Sequence, residues 1–150
     1  MVERATQHEP HHGQGADGLE DHGSDVTVAG SGADIWGSAD EFHFVYRELE
    51  GDGEIIARVL GLDPVNDWAK AGVMMRNDLD ANSASAMMII ATDPQSIGGP
   101  GYSFQHRATK GATMGNGNFT APALVPGGFP HYVRMVRSGN TFTGYVSETD

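Results

Sequence analysis

His131-Tyr132-Val133-Arg134-Met135-Val136-Arg137-Ser138-Gly139-Asn140-Thr141-Phe142-Thr143-Gly144-Tyr145-Val146-Ser147 reads as a β-hairpin. Two runs with strand composition, 131–137 and 141–147, flank Ser138-Gly139-Asn140, whose last two residues tolerate positive φ. Working back from this hairpin, the same texture repeats. Short apolar-rich runs at 26–28, 42–49, 54–60, 69–76, 86–92 and 101–108 are separated by turn residues. Phe42, Phe44 and Tyr46 share one face of their run, and Glu50-Gly51-Asp52-Gly53 makes a turn into the next. About eight strands at roughly 8–12-residue spacing predict an all-β sandwich or barrel. No segment shows a helical period, and no repeat of fixed length appears.

Composition bounds the rest. The chain has 150 residues, one domain's worth, with 21 glycines and no cysteine. Disulfide scaffolds, thiolate metal sites and cysteine catalysis are therefore excluded. Acidic residues outnumber basic ones 20 to 9, a net charge of −11. Nucleic acid and anionic membranes need a basic footprint, so neither is expected as a partner. No apolar run is long enough for a membrane span, and no secretory leader is visible. Residues 1–25 stand apart. They carry His8, His11, His12 and His22 and six acids, with only Val2 and Leu19 as sizeable aliphatics. They are expected to form a flexible His-rich acidic arm ahead of a β-sandwich domain over 26–150.

Five ordered blocks carry a resemblance. They are Gly30-Ser31-Gly32-Ala33-Asp34-Ile35-Trp36-Gly37 with Asp40-Glu41-Phe42-His43-Phe44-Val45-Tyr46, then Gly51-Asp52-Gly53-Glu54-Ile55 with Ala57-Arg58-Val59, Trp68-Ala69-Lys70-Ala71-Gly72-Val73-Met74-Met75-Arg76, Ser103-Phe104-Gln105-His106-Arg107, and the 133–142 stretch of the hairpin. Over residues 30–148 the chain resembles small bacterial modules of the concanavalin A-like lectin/glucanase superfamily, in particular the domain of unknown function named after regulation of enolase. The resemblance implies a concanavalin A-like jelly-roll β-sandwich of two antiparallel sheets and an extracellular accessory module that faces glycans. It transfers no catalytic residue. Members of the family usually have strands before the first block, where this chain has the His-rich stretch, and another strand after the last hairpin, where this chain reads Glu148-Thr149-Asp150. A domain lacking those terminal strands would expose sheet edges, and homo-oligomers through such edges are expected.

Three constellations carry candidate chemistry. Glu50-Gly51-Asp52-Gly53-Glu54 has the alternate-acid spacing of jelly-roll endoglucanases, but its glycines are turn chemistry, so a solvated turn is expected. No cofactor is implied. His8, His11 and His12 suit adventitious metal, and the loops holding Asp63, Asn66 and Asp67, or Asp78, Asp80 and Asn82, have spacing compatible with a structural calcium. The third comes from strand parity, which places Arg47, Lys70, Arg76, Gln105 and Arg107 away from the apolar faces of their strands. If these strands share a sheet, the five side chains converge on its outer face as a basic island, with Trp36 and Trp68 nearby. Arginine forks match carboxylate or sulfate and aromatic rings stack on sugars, so the expected ligand is a polysaccharide, in particular an acidic one. The competing readings are a glycoside hydrolase or polysaccharide lyase on the same fold and a self-associating structural module. Of the paired methionines Met74-Met75 and Met87-Met88, one of each pair is expected to face the core.

Overall fold

The computed structural model describes residues 2–7, 25–115, 123–125 and 128–149, with only the backbone described for 2–7 and 25–29. The fold is all-β. Its strands are β1 (Val2–Gln7), β2 (Asp25–Ala29), β3 (Asp34–Trp36), β4 (Ala39–Glu41), β5 (Gly53–Leu62), β6 (Lys70–Arg76), β7 (Ser85–Ala91), β8 (Gly101–Arg107), β9 (Ala123–Leu124), β10 (His131–Ser138) and β11 (Thr141–Ser147). Every pairing is antiparallel. The strands form three sheets: a five-stranded one ordered β11-β10-β5-β1-β2, a four-stranded one ordered β6-β7-β8-β9, and the short β3–β4 hairpin. No helix among the described residues is long and apolar enough to cross a membrane.

The strand that organises these sheets is β7, Ser85-Ala86-Met87-Met88-Ile89-Ile90-Ala91, which is buried at every position. A strand covered on both faces reads as a continuous apolar run rather than an alternation. Ala86, Met88 and Ile90 face the five-stranded sheet and pack with Ala57, Val59, Val133 and Met135. Met87, Ile89 and Ala91 face the other way, against Ile35 and Met114, with Met74, Trp68 and Phe42 packed around them. The four-stranded sheet is thus a middle layer, with a core on each side. Both members of the Met87-Met88 pair are core residues, one per layer. Close approach of the two larger sheets depends on Gly144 of β11. A Cβ there would lie 2.6 Å from Phe104 Cδ2 and 2.9 Å from Met88 Sδ.

Two expectations change. The 42–49 run has the expected alternation, with Phe42 and Phe44 stacked at 4.9 Å and Phe44 and Tyr46 at 5.4 Å. It forms no ladder, and both edges of β5, the strand that follows it in sequence, are taken, by β10 on one side and β1 on the other. The second change lies in the stretch read as an arm. Its Val2–Gln7 part is β1, seated between β5 and β2. Main-chain pairing needs no apolar side chain, so composition gave no sign of it. Residues 8–24, with His8, His11, His12 and His22, lie outside the described residues.

Candidate functional site

Ladder register carries Arg76, Ser85 and Arg107 in one row across β6, β7 and β8, with Met74, Met87 and Gln105 in the next. Parity therefore placed Lys70, Arg76, Gln105 and Arg107 on one face of one sheet as expected. That face is not open to solvent. The β3–β4 hairpin and the segment around Met114 lie over it, joined by reciprocal bonds between Gly37 and Met114 (3.2 and 2.7 Å).

Arg107 is the pin of this cover, at 1% exposure. Its Nη2 donates to Asp40 Oδ1 (2.6 Å) and to the Gly37 carbonyl (3.0 Å). Nη1 donates to Asp40 Oδ2 (3.0 Å) and the Ser83 carbonyl (3.0 Å), and Nε to the Ala112 carbonyl (2.9 Å). Each of the five N–H donors of the guanidinium has an acceptor, which is what a buried arginine requires. The residue thereby ties β8 to β4, to the β3–β4 turn, to the loop after β6 and to the loop after β8. Arg76 reinforces the same carboxylate from its other side, with Nη1 at 3.3 Å from Asp40 Oδ2, and donates Nε to the Asp78 carbonyl (2.8 Å) and Nη2 to the Asp80 carbonyl.

The expected basic island is consequently corrected. Arg107 and Gln105 are buried under the hairpin and present nothing to a ligand. The Gln105 amide has no hydrogen-bond partner among the described residues. Lys70 is ion-paired with Asp34 and lies 5.5 Å from the centre of the Trp68 ring. Arg76 sits over Phe42 and Phe44, at 5.5 and 5.6 Å. Trp36 is 38% exposed, outside the cleft described below, and packs against Gly115. Arg47 is exposed on the 42–50 segment. Asp40, the residue that organises the arginines, was missed. Its only signal was indirect: two arginines on a face that proves buried demand an acid.

The carboxylates proposed for other chemistry are also engaged. Gly51 takes φ +75° in the expected turn, and Asp52 Oδ1 accepts from the Gly139 N–H at 2.6 Å. Glu54, in β5, is held by Arg134 of the adjacent strand through Nε (2.9 Å) and Nη2. Asp52 and Glu54 thus brace the β10–β11 hairpin, and Glu50 and Glu54 also border the cleft described below. In the loop expected to suit calcium, Lys110 spans Asp78 and Asp80. Its hydrogen bond holds the Asp78 carboxyl below the usual carboxylate range, while Asp80 and then Asp78 raise the Lys110 ammonium. In the other acidic loop, Asn66 Oδ1 accepts from Trp68 N–H (2.8 Å). Among the described residues no three His, Asp or Glu side chains cluster as a metal site.

What stays open is a cleft of about 2020 Å³ between the 42–50 segment, β6 and the near ends of β5 and β11. Of the expected site residues, Arg47, Trp68, Lys70 and Arg76 line it, Arg107 borders it while buried, and Trp36 and Gln105 do not. Phe42, Phe44, Phe104 and Phe142 complete an aromatic lining. No family model, no curated protein and no solved structure matches the chain.

Proposed function

We propose that the chain is a non-catalytic binding module that holds a stretch of polysaccharide in this cleft, working as a concanavalin A-like jelly-roll module in an extracellular setting. The observation that carries the reading is the size of the cleft together with its lining. At about 2020 Å³ it exceeds the roughly 300–1,000 Å³ of small-molecule pockets. A cleft of that size, lined in part by rings, has room for several linked sugars. Aromatic rings supply apolar faces to the C–H faces of sugars, and Trp68 is the largest of them at half-burial. The ordered blocks quoted above support the same assignment.

The cations favour a neutral glycan over an acidic one. Lys70 and Arg76, which line the cleft, already have Asp34 and Asp40 as counter-charges. A polyanion approaching them would also meet the field of a chain with net charge −11. Affinity electrophoresis through gels containing neutral β-glucan, xylan or a polyuronate tests this. Neutral polysaccharide is expected to retard the protein, and salt up to ~1 M, where the Debye length falls to about 3 Å, should leave the retardation unchanged. Trp68→Ala should abolish it and Trp36→Ala should not. Migration indifferent to every polysaccharide would overturn the reading. Retardation by the polyuronate alone, lost in salt, would return the site to the cations.

A further inference from the structure

β11 is the outer strand of the five-stranded sheet, and among the described residues nothing pairs with its free edge. Its turn has two residues, Gly139-Asn140, between the paired Ser138 and Thr141. A two-residue turn makes that flanking pair a mutually hydrogen-bonded one. The alternation then assigns Thr141, Thr143, Tyr145 and Ser147 to bonds with β10, and points the main-chain groups of Phe142, Gly144 and Val146 outward. Natural edges are usually blunted by charge, proline, a bulge or shortness. β11 has none of these: Thr141-Phe142-Thr143-Gly144-Tyr145-Val146-Ser147 is uncharged, unbroken and seven residues long. The four-stranded sheet ends differently, on a two-residue β9 and on a β6 whose first and last residues, Lys70 and Arg76, are ion-paired.

We propose that this edge pairs with the same edge of a second copy, antiparallel about a two-fold axis at Gly144, joining two five-stranded sheets into one of ten. The occupant is a second copy because the edge is self-complementary. With Gly144 opposite Gly144 of the other copy, Phe142 meets Val146, Thr143 meets Tyr145, Thr141 meets Ser147 and Asn140 meets Glu148. Three outward N–H and three outward C=O groups per copy form six main-chain hydrogen bonds. No like charges face each other anywhere along this seam, although each chain carries a net −11. Another acidic protein without such a seam would be repelled. Asn140, Thr141 and Phe142 of this strand also line the cleft, but Thr143 and Tyr145 do not, so substitutions at those two positions probe the pairing without altering the cleft lining.

The test is mass against concentration by sedimentation equilibrium, with circular dichroism confirming that each protein is folded. The wild-type mass should rise from 15.9 kDa toward twice that value with concentration. Thr143→Glu/Tyr145→Glu places two acids opposite each other at both symmetry-related positions and should hold the protein at monomer mass. Thr143→Lys/Tyr145→Glu places opposite charges at the same positions and should restore the dimer. Both side chains lie on the exposed face of the strand, so neither change touches the core. A wild type that stays monomeric throughout overturns the proposal, as does a double-glutamate variant that associates like wild type. A Lys/Glu variant that stays monomeric overturns the two-fold register.

Discussion

A buried arginine is a liability unless its charge and all its donors are met, and Arg107 shows what that demands of its surroundings. Asp40 takes both ends of the fork, and three carbonyls from separate loops take the remaining protons. Removing the acid leaves the cation stranded, whereas removing both removes the problem. Asp40→Ala should therefore destabilise the fold by about 3–5 kcal/mol, the range for breaking a buried pair. Asp40→Leu/Arg107→Met should recover part of that loss, because apolar replacements of a buried pair are often neutral or better. Urea denaturation of the three proteins measures both effects. A single-variant cost below about 1 kcal/mol would place the pair at the value of a surface bridge. The residues that looked like a ligand-binding fork thus act as a latch on the hairpin.

Elements obey local rules in this chain where their partners are local, and depart from them where partners are distant. The β10–β11 hairpin was legible to within a residue because its turn, alternation and pairing lie in one contiguous stretch. β6, β7 and β8 were legible too, and so was the side on which each of their residues lies. The layer covering that side was not. Parity says which face a side chain takes, and nothing in Lys70 to Arg76 announces that Asp34 to Glu41 will lie across it. The 42–49 run failed for a related reason: its propensity is local, while the occupancy of the β5 edges is set by distant strands. The loop after β6 gives a pH-dependent test at this scale. Asp78 has a lowered pKa, so its contribution is present above the ordinary carboxylate value and is lost as pH falls through the lowered one. Lys110 has a raised pKa, so its contribution is present below the ordinary amine value and is lost as pH rises through the raised one. Lys110→Met should lower the urea midpoint slightly across the neutral range, with the difference vanishing in strong acid and shrinking in high salt, since all three groups are solvent-exposed. A difference that grows on acidification would contradict the assignment.

At the scale of the whole molecule, the cleft matters because of what it joins. One wall is β6, at the edge of the middle layer, and the others come from β5, β11 and the 42–50 segment, which exposes Val45, Tyr46 and Leu49. A polymer seated there would touch both large sheets and that unpaired segment at once. It would bind the folded arrangement and have no equivalent site in the unfolded chain. Linkage then requires the ligand to raise global stability. At a free ligand concentration about 100-fold above Kd the gain is about 2.7 kcal/mol, which for a domain of this size corresponds to about 5–11 °C in Tm. Trp68→Ala, if folded, should lose the shift while Trp36→Ala keeps it, because only the first of these rings lines the cleft. The shift should also appear in a single cooperative transition, since the ligand would clamp the sheets to each other. Two transitions, with only one moved by ligand, would mean that the bound polymer touches one layer alone, and the cleft would no longer be the place where it sits.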